Sequence, residues 1–165
     1  MAGEIRRILF LCTGNSARSI LAEALLNRMG GGRFEAFSAG SFPKGQVHPM
    51  ALALLGDKGF PTGQLRSKSW DEFAGPAAPP LDFIFTVCDN AAGEVCPVWP
   101  GRPMTAHWGI ADPADVDGPG QPEAFEHAFA ALERRMAQLL ALPLDSLDLE
   151  SAKAQLRAIG ETQNA

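Results

Sequence analysis

The sequence predicts an α/β fold, a single doubly wound sheet flanked by helices. Two largely apolar runs, residues 8–11 and 81–87, are typical of parallel strands buried on both faces. Strand patterns alternate with segments of helical periodicity, as they do in α/β proteins. A length of 165 residues, with 46% hydrophobic and 20% charged residues, suits one compact core.

The first strand, helix and second strand follow one another closely. Residues 4–11 end in the first apolar run and predict a strand. From Ser19 to Met29 apolar residues recur at helical spacing, and three consecutive glycines end the helix. Residues 33–39 predict the second strand, because aromatic residues are followed by a turn rich in glycine and proline.

The second half of the chain continues this alternation. A helix begins at Pro49, a residue suited to the first helical turn, and ends near residues 56–59. Residues 81–87 and 104–108 predict the third and fourth strands. Residues 121–140 predict a long amphipathic helix, with apolar residues every three or four positions.

The tail, residues 143–165, has apolar residues spaced among charged ones and predicts a short amphipathic helix. We expect residues 1–142 to form the main domain and the tail to be either part of it or flexible. The tail helix could dock on the domain surface or mediate self-association, and the sequence leaves both open.

The net charge, the length of the apolar run near the amino end and the number of cysteines limit the classes of protein to which this chain can belong. The net charge is −5 and no long Lys/Arg run is present, so we expect no nucleic-acid and no membrane partner. Residues 8–11 are too short for a signal peptide or a membrane span, which favours a cytoplasmic protein. Three cysteines in such a protein indicate catalysis, metal binding or redox chemistry rather than structural disulfides.

Residues 12–19, with the sequence CTGNSARS, lie between a buried strand and a helix and predict an anion-binding loop. Backbone N–H groups and the positive end of the helix dipole can hold a tetrahedral oxyanion there without bulk basicity. Gly14 permits a tight backbone and Arg18 supplies a bidentate fork. The predicted oxyanion-binding residues are Thr13, Gly14, Asn15, Ser16, Ala17 and Arg18.

The same loop points to Cys12 as a nucleophile. The positive field is expected to lower the pKa of the Cys12 thiol and so provide a thiolate. Ser19 could donate a hydrogen bond to that thiolate. The alternative, an ordinary buried cysteine before a turn, would explain a lone cysteine but not the whole motif.

The motif Cys-x5-Arg-Ser resembles the low-molecular-weight tyrosine phosphatase superfamily, and the full string CTGNSARS resembles its thioredoxin-coupled arsenate reductases. The resemblance covers residues 8–140 and implies a four-stranded parallel sheet. It also implies that Asp112, in the pair Asp112-Pro113, is a general acid. The segment from His107 to Pro113 is similar to the reductases' His-Trp-Gly motif. Taken by itself, an Asp-Pro pair could be a turn initiator.

Two further cysteines favour reduction over hydrolysis. The resemblance implies that Cys12 attacks arsenate, that Cys88 then attacks Cys12 and releases arsenite, and that Cys96 attacks Cys88. The resulting disulfide is left for an external reductant: thioredoxin, or glutathione with glutaredoxin in some relatives. Seven residues separate Cys88 from Cys96, one more than is typical of the family. Ordinary interior cysteines or metal ligands are the alternatives.

The expected ligands are arsenate and related tetrahedral oxyanions, phosphate and sulfate, with no tightly bound cofactor. Ala114 and the absence of tyrosine favour a small inorganic anion over an aromatic substrate. Some relatives hold potassium with residues that match Asn15, Glu23 and Ser38, but Trp70 stands where they have an Asp, so we predict no metal site.

The leading hypothesis is an arsenate reductase that uses Cys12, Arg18, Asp112, Cys88 and Cys96. The alternative is a low-molecular-weight tyrosine phosphatase, with Cys12 as nucleophile and Asp112 as general acid. A third hypothesis is an oxyanion-binding module without turnover.

Other singled-out residues have structural interpretations. His48, before Pro49, is predicted to cap a helix. His107 is expected to support the Asp112 loop. The three tryptophans, Trp70, Trp99 and Trp108, are expected to anchor the core or loops, and they could also shield the site.

Overall fold

The structure is a computed structural model. It describes residues 5–12, 14–15, 17–63, 65–73, 81–87, 104–108, 113, 116, 118–143 and 148–161.

Four parallel strands form one sheet: β1 (Arg6–Leu11), β2 (Phe34–Ala39), β3 (Phe83–Thr86) and β4 (Met104–His107). Their spatial order is β2-β1-β3-β4. Ile8 of β1 pairs with Ala36 on one side and with Phe83 on the other. The predicted four-stranded parallel sheet is therefore confirmed.

The described helices are α1 (Arg18–Met29), α2 (Pro49–Asp57), α3 (Gln121–Ala141) and α4 (Leu149–Glu161). Short 3₁₀ helices cover Trp70–Phe73 and Gly118–Gly120. The predicted capping role of His48 is confirmed, because its Nδ1 accepts a hydrogen bond from Met50 N at 3.0 Å. The hydrogen-bonded ladder of β3 is shorter than the predicted strand 81–87, although the flanking Leu81 and Val87 are buried.

Aromatic stacking fills the core beside β3 and β4. The indole ring of Trp108 stacks on Phe85, with ring centres 4.2 Å apart and planes 8° from parallel. Its Nε1 donates a hydrogen bond to the Leu156 carbonyl of α4 at 2.9 Å. Trp108 is thus a core anchor, as expected, and it holds α4 on the domain.

The chain reverses its winding at β1, which lies between β2 and β3. Ligands of doubly wound sheets bind outside the carboxyl ends of the strands at such a switch point. Here Val87 N donates a hydrogen bond to the Leu11 carbonyl at 2.8 Å, so the ends of β1 and β3 remain joined. Cys12 follows Leu11 directly and lies at this edge.

Within the described part of the chain, no helix has the length and apolar character that a membrane span requires.

Candidate active site

Cys12 lies immediately beyond β1 and is 3% exposed. Its backbone N donates a hydrogen bond to the carbonyl of Ala39, the last residue of β2, at 3.2 Å. The sheet therefore fixes the backbone that carries the thiol. A side chain whose backbone is held in this way needs little reorganisation to meet a ligand at the strand end.

Asn15 gives the loop its turn. Its φ is 45°, and it is the one non-glycine residue with a positive φ among those described. This left-handed conformation is tolerated by asparagine better than by most residues. Gly14, which the sequence predicts to permit a tight backbone, does not itself have a positive φ; among the described loop residues that conformation belongs to Asn15.

The buried Asn15 side chain bridges two segments. Its Oδ1 accepts a hydrogen bond from Lys68 N at 2.8 Å, and its Nδ2 donates to Ser19 Oγ at 2.8 Å. A backbone N–H can only donate, so the amide orientation is fixed and Ser19 Oγ must accept. The Ser19 hydroxyl proton is therefore available to a different acceptor.

The beginning of α1 closes the loop on its other side. Arg18 is the first helical residue, and Ala17 precedes it without a side-chain hydrogen bond to the helix end. Leu21 N donates to the Ala17 carbonyl at 2.9 Å, so the helical ladder begins here, and the N–H groups of a first helical turn have no acceptor within the helix. The Arg18 Nε atom is shielded from solvent. The amino end of α1 and Arg18 therefore belong to the segment that the sequence predicts to bind an oxyanion, and a helix amino end favours negative charge.

Gly14 lies against the segment that follows β2. Its carbonyl accepts hydrogen bonds from Lys44 N at 3.0 Å and from Ser67 Oγ at 3.1 Å. A Cβ atom at Gly14 would lie 3.2 Å from Lys44 Cε. The missing side chain therefore leaves room for Lys44 at the loop.

A buried charge pair lies below the loop. Glu23 Oε1 accepts a hydrogen bond from Ser38 Oγ at 2.5 Å and lies 3.8 Å from Lys68 Nζ. Burial raises the pKa of Glu23, opposed by the Ser38 hydrogen bond and the charge of Lys68. Burial also lowers the pKa of Lys68, opposed by Glu23. Sequence analysis singled out Glu23 and Ser38 but missed Lys68, which belongs to a polar stretch without a motif.

Arg135 of α3 is a second buried cation that the sequence analysis did not identify. Its Nη1 donates a hydrogen bond to the Trp108 carbonyl at 2.8 Å, and burial lowers the pKa of its guanidinium group. The signal was available, because Arg135 lies on the same helix face as the apolar residues Leu132 and Leu139.

The structure brings together one part of the predicted site. Cys12, Gly14, Asn15, Ala17, Arg18 and Ser19 form the loop and the start of α1. His107 lies at the end of β4, where its Nδ1 is 2.7 Å from Thr86 Oγ1. The predicted site residues outside the described part are Thr13, Ser16, Cys88, Cys96 and Asp112. Among the described residues, no group of three or more His, Cys, Asp or Glu side chains is arranged to hold a metal ion.

Comparison with known proteins agrees with this geometry. The chain is 36% identical over 111 residues to an arsenate reductase of Halalkalibacterium halodurans, covering 67% of this chain and 76% of the relative. The crystal structure of an arsenate reductase from Archaeoglobus fulgidus superposes with a TM-score of 0.65 at 30% identity, covering 82% of this chain and 99% of that one. A thioredoxin-dependent arsenate reductase of Corynebacterium glutamicum superposes with a TM-score of 0.59 at 25% identity, and the superposition covers 85% of this chain and 64% of that one.

The family model described as low molecular weight phosphotyrosine protein phosphatase matches residues 7–154. This match includes the loop, the strands β2 to β4, all of β1 except Arg6, and α1 to α3. The resemblance that the CTGNSARS motif indicated is thereby confirmed. The chain belongs to the low molecular weight phosphotyrosine protein phosphatase family, and its relatives include arsenate reductases.

Proposed function

We propose that this protein reduces arsenate to arsenite. The observation that carries the proposal is the placement of Cys12 between the sheet edge and the amino end of α1, in a chain whose relatives are arsenate reductases. A buried cysteine that is followed by a helix amino end carrying Arg18 is suited to attack a tetrahedral oxyanion.

The first step forms a covalent adduct. The Cys12 thiolate attacks the arsenic atom, an S–As bond forms, and one As–O bond breaks. The leaving oxygen departs as water after taking a proton from Asp112, the proposed general acid. Arg18 and the backbone N–H groups of residues 13–18 balance the negative charge on the remaining oxygens.

Ser19 supports the thiolate in this account. Because Ser19 Oγ accepts a hydrogen bond from Asn15, its own proton remains for a second partner. We assign that proton to the Cys12 sulfur, where a donated hydrogen bond stabilises the charged form and lowers the thiol pKa. Asn15 thus orients Ser19, and Ser19 acts on the nucleophile.

Electron transfer follows through two thiols. The Cys88 thiolate attacks Cys12 Sγ, an S–S bond forms, and the S–As electron pair passes to arsenic, which leaves as arsenite. Cys96 then attacks Cys88 Sγ and releases the Cys12 thiolate. The hydrogen bond from Val87 N to the Leu11 carbonyl supports this order, because these residues directly precede Cys88 and Cys12 in the sequence.

The disulfide between Cys88 and Cys96 requires an external thiol to complete the cycle. We propose thioredoxin as the donor, with glutathione and glutaredoxin as the alternative. The thioredoxin-dependent relative of C. glutamicum supports the first choice. Arsenite formation from arsenate, measured with each donor system separately, tests the proposal. We expect sustained turnover with one of them, and no arsenite with either would contradict arsenate reduction.

Hydrolysis of phosphate monoesters is the second candidate function, because the family model is named for phosphatases. It needs the Cys12 thiolate and a general acid but neither Cys88 nor Cys96. The chain contains no tyrosine, a residue that commonly lines the aromatic substrate site in the phosphatases. Hydrolysis of p-nitrophenyl phosphate faster than arsenate reduction would favour this function.

A further inference from the structure

Glu23 and Lys68 form a buried pair of opposite charges that the proposed reaction does not use. Their side chains are 11% and 7% exposed, and the Oε1 and Nζ atoms lie 3.8 Å apart. The ammonium group also donates a hydrogen bond to the Arg66 carbonyl at 3.0 Å. Both charged groups therefore have protein partners in place of water.

The backbone of Lys68 is tied to the anion loop. Its N–H donates to Asn15 Oδ1 at 2.8 Å, and its carbonyl accepts from Gly40 N at 2.9 Å. Lys68 therefore holds Asn15 through its main chain and Glu23 through its side chain. Since Asn15 is the left-handed residue of the loop, this one residue joins the loop to the interior face of α1.

A carboxylate in this position needs a neighbouring cation. An isolated buried carboxylate is strongly disfavoured and takes up a proton instead. Lys68 is the main opposing charge at Glu23, with a smaller contribution from Arg66. Arg66 is itself engaged by Glu72, whose carboxylate accepts two hydrogen bonds from it. Without the ammonium group, the Ser38 hydroxyl would be the remaining close partner of Glu23 among the residues that the structure describes.

We propose that Lys68 is a positioning residue of the anion loop: its ammonium group acts as a built-in monovalent cation paired with Glu23, and this pairing fixes the Lys68 backbone that holds Asn15. The inference rests on the proposed function for its substrate, arsenate. It concerns the shape of the loop, so it applies equally to the binding of phosphate, an anion of the same geometry.

A built-in cation can be replaced by a small external one. The variant Lys68→Ala removes the ammonium group and leaves space beside Glu23, which methylammonium can fill. Lys68→Met also removes the charge, but its side chain keeps the space occupied. The backbone N–H that binds Asn15 remains in both variants, so the comparison isolates the side chain.

The test measures the dissociation constant of phosphate, together with KM and kcat for arsenate. We expect both variants to bind phosphate about tenfold more weakly, with a matching rise in KM and a smaller change in kcat. Methylammonium chloride should restore the affinity of Lys68→Ala but not that of Lys68→Met, and choline chloride should restore neither. Lys153→Met makes the same change at an exposed position of α4, and its phosphate affinity, KM and kcat should equal those of the wild-type protein.

Wild-type phosphate affinity in both variants would overturn the proposal, as would equal effects of methylammonium and choline on Lys68→Ala. Circular dichroism and thermal unfolding establish that each variant is folded, and Lys68→Met serves where the cavity of Lys68→Ala prevents folding. A failure of the proposed arsenate reduction can be distinguished from a failure of the proposed role of Lys68. A wild-type protein that binds phosphate but forms no arsenite would refute arsenate reduction, and the phosphate measurements would still decide the role of Lys68.

Discussion

Val87 N donates a 2.8 Å hydrogen bond to the Leu11 carbonyl, which joins the carboxyl ends of β3 and β1 at the switch point of the sheet. In the sequence Cys12 and Cys88 follow these two residues directly. The cysteine that we propose as nucleophile and the cysteine that we propose attacks it later thus follow neighbouring, mutually hydrogen-bonded strand ends. This relationship is the structural basis on which we propose thiol exchange rather than hydrolysis.

Replacement of Cys12 by serine tests the shared nucleophile. We expect Cys12→Ser to reduce both arsenite formation and hydrolysis of p-nitrophenyl phosphate to the level without protein, because both reactions begin at the thiolate. Cys96→Ser is the matched control and should retain ester hydrolysis. Arsenite formation at the wild-type rate by Cys12→Ser would disprove a common nucleophile.

Two substitutions of Asn15 separate its backbone from its side chain. Asn15→Gly keeps the left-handed conformation but removes the hydrogen bonds to Ser19 and Lys68, and we expect a loss of about 1–3 kcal/mol in the free energy of unfolding. Asn15→Ala adds backbone strain and should lose about 1 kcal/mol more. Urea titration measures both. Equal stability of the two variants would show that the positive φ carries no cost.

A double-mutant cycle tests the buried charges. We expect Glu23→Gln and Lys68→Met each to lower the free energy of unfolding by about 3–5 kcal/mol, because each leaves an unpaired charge. The double variant should recover most of that loss, since no buried charge remains. Additive losses in the double variant would mean that the two groups do not interact.

The same pair predicts a pH dependence of stability. Burial raises the pKa of Glu23 above its ordinary value of 4.5, so the folded state favours the protonated carboxyl. The stability that this preference contributes is complete below pH 4.5 and is lost as the pH rises through the folded-state pKa. Burial lowers the pKa of Lys68 below its ordinary value of 10.5, so the folded state favours the neutral amine. The free energy of unfolding therefore increases again as the pH rises from the folded-state pKa of Lys68 toward 10.5. Relative to the double variant, the wild-type protein should therefore be least stable between these two transitions. Urea titrations across the pH range should show this minimum, and a constant difference would contradict it.

Trp108 provides a test of how α4 is held. In Trp108→Phe the Leu156 carbonyl loses its buried donor, and we expect a loss of about 1–3 kcal/mol in the free energy of unfolding. Amide hydrogen exchange should accelerate in α4, which contains Leu156. It should stay unchanged in α1, because the hydrogen bond from Trp108 does not reach that helix. Equal acceleration in both helices would assign the effect to the whole core.

The strands and the loop could be predicted from the sequence because their signals are local. Cys12, Arg18 and Ser19 lie in one contiguous motif, and His48 precedes a proline at a helix start. Lys68 could not be predicted, because its link to Asn15 spans 53 residues and depends on the path of the chain after β2. Arg135 was missed for a related reason. The amphipathic pattern shows which face of α3 is buried. It does not show that the Trp108 carbonyl lies beside this face and accepts a hydrogen bond from Arg135.

The proposed three-cysteine relay is best tested by a single-turnover experiment on reduced Cys96→Ser with arsenate. We expect a burst of one arsenite per protein molecule, and a disulfide between Cys12 and Cys88 that mass spectrometry identifies after acid quenching. Thioredoxin with its reductase and NADPH should then sustain turnover of the wild-type protein. Release of arsenite without that disulfide, or continued thioredoxin-driven turnover by Cys96→Ser at the wild-type rate, would contradict the three-cysteine relay.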